Sequence, residues 1–206
     1  MLYDISQTLR NDLPVWPGDT RFDLRRTWAM GLDVPVNVSA FTLSTHSGSH
    51  ADAPFHYDAD GIAIDAVDPD IYLGPAQVVD ARHARGIVTA EHVLPQLLPE
   101  TTRVLIRTYE QAPQQKWDDD FIAVAASLVD ALAARRVRLI GVDTPSLDPQ
   151  NSKTMEAHLA VARHGLAILE GLVLDVVPFG VYELIALPLK IAGADSSPVR
   201  AILRNL

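Results

Sequence analysis

A chain of 206 residues in which 48 % are apolar can bury a sizeable core, so a folded globular protein is expected. The formal net charge of −9, with no long run of Lys or Arg, argues against a grip on a nucleic-acid backbone and reads as a solvated acidic surface. The absence of cysteine removes disulfides, thiolate ligands and a cysteine nucleophile, leaving imidazole and carboxylate to hold any transition metal.

In chain order, residues 13–20, which carry Pro and Gly, predict a loop. Residues 35–44, rich in β-branched and aromatic side chains, predict a strand, and residues 65–75, with Asp68-Pro69 and Gly74-Pro75, a second loop. Short apolar runs at 77–80, 104–107 and 139–143 predict further strands. Helices are expected over 89–97, where Thr89 can cap, over the Ala- and Leu-rich 123–136, and over 153–163, closed by Gly165. The C-terminal third returns to strand-like segments at 172–177, 181–187 and 199–203. The mixture is α/β or α+β in one domain, with no internal repeat and no linker. No stretch is apolar enough to span a membrane, and Asp4 stands where a secretion signal would be basic, so a soluble cytoplasmic protein is expected.

Chemistry-bearing groups crowd into the eleven residues His46-Ser-Gly-Ser-His50-Ala-Asp52-Ala-Pro-Phe-His56, which hold three of the seven histidines. The run follows a predicted strand and is punctuated by Gly48 and Pro54, so a loop is expected and not a regular element. An extended chain, at about 3.3 Å per residue, would set His46 and His50 about 13 Å apart, whereas nitrogens on one zinc lie about 2.0–2.1 Å from it. For both to serve one ion the backbone must double back, and Gly48, free to take positive φ between small Ser47 and Ser49, suits that reversal. Any one of these residues alone reads as a polar strand-end or turn residue. Together they read as a metal site, because neutral imidazole and carboxylate are what zinc and related ions take when thiolate is absent.

The run resembles the His-x-Gly-Thr-His-x-Asp-x-Pro-x-His signature of the cyclase family of metal-dependent hydrolases and, within it, the bacterial kynurenine formamidases (arylformamidases), with Ser49 for the usual Thr. The resemblance extends through Trp16-Pro-Gly-Asp19, Gly141-Val-Asp-Thr-Pro-Ser-Leu-Asp-Pro149, His158 to Glu170 and Ser197-Pro-Val-Arg200. It implies that His46, His50 and Asp52 bind one zinc ion, that Asp52 bridges to a second held by His158 and Glu170, and that His56 carries protons and is not a ligand. Without the resemblance, His158 reads as an ordinary helix histidine and Glu170 as a charge at an element's edge. Gly171 replaces the family's usual Asn, which questions the support of Glu170 and not its place as a ligand. His83, His92 and His164 are read as structural or bland.

The resemblance further implies one domain over residues 1–206 with a β-barrel-like core flanked by helices, of the swivelling β/β/α type, assembled as a homodimer. The implied reaction is hydrolysis of N-formyl-L-kynurenine to L-kynurenine and formate, in tryptophan degradation, by a zinc-activated hydroxide. Trp16, on a loop expected to be exposed, is the expected substrate contact; Trp28, Phe41 and Phe55 are available near the motifs, but aromatic residues are more often core. No Gly-x-Ser-x-Gly elbow is present to support a serine mechanism. Two alternatives stay open: a cyclase-like amidohydrolase using the same ligands, or one manganese, on another cyclic or acyclic amide, and a binding protein with a structural metal. The second is the weaker, since five ligands over two ions and an unligated His56 leave room for water.

Overall fold

The computed structural model describes residues 1–206. Its strands are β1 (Leu2–Asp4), β2 (Asp23–Trp28), β3 (Val38–Thr42), β4 (His50–Asp52), β5 (Leu73–Asp80), β6 (Ile87–Val88), β7 (Arg103–Arg107), β8 (Ala123–Val124), β9 (Leu139–Val142), β10 (Ala167–Glu170), β11 (Gly180–Ile185), β12 (Ser196–Pro198) and β13 (Ile202–Asn205), with helices α1 (Ala90–Val93), α2 (Ala126–Ala134) and α3 (Glu156–His164). Nine strands form one sheet in the order β1-β13-β11-β5-β7-β9-β10-β4-β12. The central strands β5, β7, β9 and β10 are parallel, and every other pairing in that sheet is antiparallel.

The parallel strands are continuous apolar runs because both of their faces are covered. With a side-chain period of two, Val104 and Ile106 of β7 and Ile168 of β10 pack with Leu128 and Val129 of α2 and Val161 of α3. Leu105 and Leu169 point the other way, into a cluster that also takes Ala51 of β4, Val78 of β5 and Leu203 of β13. Strands from both ends of the order meet in that cluster, so the sheet is strongly curled, a half-barrel with its helices outside. This is the expected α/β class with a barrel-like core. No helix is long and apolar enough to cross a membrane.

Several local expectations change. Residues 172–177 are not a strand: Leu172, Leu174 and Val177 are buried in the concave core, but the strand at this place is β10, just upstream. An apolar run reports burial, and pairing is decided by which neighbours lie alongside. Residues 65–75 are not loop throughout, since β5 begins at Leu73; Pro75 is tolerated there because pairing with β7 starts only at Gln77. Residues 123–124 join a small parallel pair with β6, and α2 starts later, because the Val124 and Ala125 amides donate to Leu147 and Val88 carbonyls. The 89–97 helix is α1 followed by a 3₁₀ turn, Leu94–Gln96. β3 forms a separate hairpin with β2, and both strands are almost wholly exposed.

Three local devices aim the chain at what becomes the site. Asp148 accepts from the amides of Ala157 and His158, satisfying donors that the first turn of α3 leaves open, and Gly165 closes that helix in the left-handed conformation. Gly48 takes φ +66°, the reversal its sequence setting called for. Gly171, directly after β10, takes φ +64°, and a Cβ there would lie 2.5 Å from the Gly48 carbonyl oxygen. Replacing Gly171 with Ala therefore adds left-handed strain to a backbone clash. A loss of about 1–3 kcal/mol is expected, checked by the denaturant midpoint; an unchanged midpoint would show that the two turns are free to part.

Candidate metal centre

The carboxyl ends of the parallel strands, where open α/β sheets place ligands, carry the chemistry here. Glu170 ends β10, and antiparallel pairing sets His50 directly opposite it. Asp52 lies two residues beyond His50 on β4, so the strand period points both side chains to one face. The His46–His56 run is thus not a loop throughout: His50–Asp52 is an inner strand between β10 and β12, and His56 ends a 3₁₀ turn, Pro54–His56. The reversal at Gly48 returns His46 to His50, with ring centroids 5.0 Å apart. His158, from the first turn of α3, closes the group.

The Asp52 carboxylate sits at the middle. Its Oδ1 faces His46 Nδ1 at 3.1 Å and His50 Nε2 at 3.5 Å, and its Oδ2 faces His158 Nε2 at 3.5 Å. Glu170 sends Oε2 to His50 Nε2 at 3.4 Å and Oε1 to His158 Nε2 at 3.5 Å. Despite these approaches, neither Asp52 oxygen has a hydrogen bond of acceptable geometry, and both are fully buried. Buried polar atoms are almost always satisfied, so this orphaned carboxylate fits a partner other than a proton donor.

The three histidines are held from behind. His50 Nδ1 meets the Gly48 carbonyl at 3.0 Å, His158 Nδ1 meets Asp148 Oδ2 at 2.6 Å, and His46 Nε2 meets Asp195 Oδ2 at 3.0 Å. Each contact takes up one ring nitrogen and leaves the other for the Asp52–Glu170 side, as metal-binding imidazoles require. Charge agrees. Burial disfavours the ionised forms of Asp52 and Glu170, yet neighbouring histidines hold both carboxyls below their ordinary values. Burial likewise opposes protonation of His46, but Asp52 and Asp195 raise it to about 9, and Asp148, Asp52 and Glu170 raise His158 well above its usual value. With only the protein's own charges, these carboxylates draw protons onto their histidines, so the donor set favours positive charge and suits a divalent ion.

His46, Asp52 and His56 form one group of possible ligands, and His50, Asp52 and Glu170 another, with Asp52 common to both. His56, part-buried like His46, lies with Nδ1 3.4 Å from Asp195 Oδ2, and it differs from His46 and His158 in that burial prevails and lowers its affinity for a proton. Glu170 is supported by the Leu147 amide, which donates to Oε1 at 2.8 Å, so Gly171 does not deprive it of a partner. Ser49, the other departure from the signature, still donates its hydroxyl to the Gly171 carbonyl.

The histidines and Glu170 open onto a cavity of about 330 Å³ whose wall includes Trp16 and Trp117. Trp16 stands edge-on to Trp117 with centroids 5.5 Å apart, and Trp117 is tied to Gln150. Trp28 and Phe41 are exposed on the β2–β3 hairpin instead of buried in the core, and Phe55 is also exposed. His92 caps α1 through Thr89, and His164 pairs with exposed Asp130, both outside the group. Asp148, Trp117 and Asp195 also have places at the site. Asp148 lay inside the Gly141–Pro149 motif, and Asp195 two residues before Ser197, but nothing in their spacing marked them.

The cyclase family model matches residues 3–149. The chain is 56 % identical over 205 residues to a kynurenine formamidase of Maricaulis maris (strain MCS10), covering 100 % of this chain and 98 % of that protein. Among solved structures, one described as a potential metal-dependent hydrolase with cyclase activity is similar with a TM-score of 0.85 at 26 % identity, covering 98 % of this chain and 96 % of that one. Isatin hydrolase A of Labrenzia aggregata shares the fold, with a TM-score of 0.85 at 24 % identity over 98 % of this chain and 93 % of its own. Since the family model spans well over half of the sequence and the similarity to the formamidase runs its whole length, the chain belongs to the cyclase family.

Proposed function

We propose that this enzyme hydrolyses N-formyl-L-kynurenine to L-kynurenine and formate in tryptophan degradation, with two zinc ions held by His46, His50, Asp52, His158 and Glu170, His56 as the proton carrier and Trp16 against the substrate's aromatic ring. The observation that carries this reading is the buried, unpartnered Asp52 carboxylate, which turns one oxygen toward His46 and His50 and the other toward His158. That division is what a bridging carboxylate needs. The 56 % identity to a kynurenine formamidase supports the substrate.

When bound, such ions lower the pKa of water from 15.7 toward about 7 and polarise a carbonyl. The chain's own groups do the rest. Hydrolysis joins a water oxygen to the formyl carbon, breaks the C–N bond and delivers a proton to the departing nitrogen. His56, kept largely neutral by burial, can take a proton from water and return it to that nitrogen. Trp16 and Trp117 give the cavity an aromatic wall on which an aryl ring can stack, and the cavity volume is within the range of small-molecule sites.

We further propose a homodimer in the cytoplasm. The β2–β3 hairpin leaves Leu24 and Phe41 exposed on one face and Trp28 and Val38 on the other, apolar side chains that a second copy would cover. A chain without cysteine needs no oxidising compartment.

Three outcomes are expected. In elemental analysis the protein carries about two zinc ions per chain, and Asp52→Ala loses both; His56→Ala keeps its metal while turnover falls by about 10²–10⁴-fold, the usual size of an acid–base contribution. Metal retained in Asp52→Ala would remove the bridge, and metal lost from His56→Ala would make His56 a ligand. In a comparison of kcat/KM, N-formylkynurenine and simple aryl formamides are hydrolysed, whereas the matching acetyl anilides and alkyl formamides react far more slowly. A formyl group presents only hydrogen beyond its carbonyl, and an aryl amine leaves with one well-placed proton. Equal rates on formyl and acetyl anilides would return the enzyme to a wider amidohydrolase role. Sedimentation equilibrium is expected to give the mass of two chains, with Trp28→Asp plus Phe41→Asp shifting the mass to one; a wild-type monomer would refute the dimer.

A further inference from the structure

We propose that Asp195 is a positioning residue that clamps His56 and His46 with one carboxylate oxygen, fixing the orientation of both rings and the nitrogen that carries each proton. The proposal rests on the reading of His56 as the proton carrier.

Asp195 stands immediately before β12, and its backbone is pinned to the segment that carries His56. The Ala53 amide donates to the Asp195 carbonyl at 2.9 Å, while the Ala53 carbonyl accepts from the His56 amide at 2.9 Å. One side-chain oxygen, Oδ1, accepts from the Thr45 hydroxyl at 3.0 Å, which orients the carboxylate. The other, Oδ2, lies 3.0 Å from His46 Nε2 and 3.4 Å from His56 Nδ1. The two rings sit with centroids 4.3 Å apart, so one oxygen reaches both. The longer contact is of the kind that tightens only once substrate is in place.

An ionised carboxylate only accepts hydrogen bonds, so each neutral imidazole facing it must present an N–H. For His46 this puts the proton on Nε2 and frees Nδ1, the atom that faces Asp52 at 3.1 Å. For His56 it puts the proton on Nδ1 and leaves Nε2 with its lone pair. His56 has no other side-chain hydrogen-bond partner, so without Asp195 nothing sets its tautomer and only packing against His46, Tyr57 and His158 holds its ring. Asp195 is part-exposed, so replacing it removes little packing.

Asparagine tests this well, because it keeps the shape but replaces one carboxylate oxygen with an NH₂ group. Thr45 can continue to hold an oxygen at Oδ1, leaving the NH₂ facing two ring nitrogens that should be donors. In the full-length zinc-loaded enzyme, Asp195→Asn is expected to lower kcat by about 10–10³-fold at saturating zinc, with KM within about threefold, and to weaken zinc binding in a competition titration by about 10–100-fold. Imidazole nitrogen chemical shifts should place the His56 proton on Nδ1 in the wild type and on Nε2 in the variant. At saturating zinc the His56→Ala, Asp195→Asn double variant should be no slower than His56→Ala alone, since the part of the Asp195 effect that zinc does not restore acts through His56. The proposal is overturned if His56 keeps the same tautomer in Asp195→Asn, if the two kinetic losses multiply, or if full zinc loading restores wild-type turnover. Undiminished turnover in His56→Ala would instead defeat the proton-carrier reading, and the nitrogen shifts would still decide whether Asp195 sets the tautomer.

Discussion

A carboxylate taken out of water must be met by charge or hydrogen bonds, and Asp52 is the place where this structure depends on that rule. It lies on an inner strand, fully buried, with both oxygens lacking a hydrogen bond and three imidazoles turned toward them. Leaving such a group ionised and uncompensated would cost several kcal/mol. The surrounding architecture brings potential ligands to Asp52 from every side: Glu170 and His50 as a cross-strand pair, His46 through the reversal at Gly48, and His158 from the first turn of a helix. The need to balance this one charge accounts for the metal dependence and for the close packing of the turns around it.

Behind the inner ring of side chains, each histidine is oriented by a different device. A backbone carbonyl holds His50, a buried aspartate holds His158, and a part-exposed aspartate holds His46. Asp148 has two tasks, since it satisfies the opening amides of α3 and also grips the ring that α3 supplies. Helix position and ring orientation are therefore set by one carboxylate. Trp16 and Trp117 put aromatic surface on the cavity wall among polar side chains, while the histidines and Glu170 make its inner end polar and charged.

The amino-acid sequence by itself determined the donors and one backbone reversal. The crowding of His46, His50, Asp52 and His56, the exclusion of thiolate and the need for a turn at Gly48 follow from residue type and spacing, and the resemblance to a known signature added His158 and Glu170. The central strands and α2 and α3 were legible because long apolar or strongly helix-forming runs state their own preference. Boundaries were not: at residues 172–177 and 123–124 the outcome depended on which segment lay alongside, and residue composition carries no information about that.

Only the tertiary structure decided which of the donors face one another. That His50 lies opposite Glu170 is a matter of sheet register, and that His158 meets the same carboxylates is a matter of where α3 docks. Asp148 and Asp195 were invisible for the same reason: Asp195 is 139 residues from His56 along the chain, and a single aspartate acquires a role only when folding places a ring nitrogen within its reach. Residue types limit which chemistry is available, and long-range packing decides which atoms face one another, because side-chain direction at a site is set by neighbours that sequence spacing does not specify.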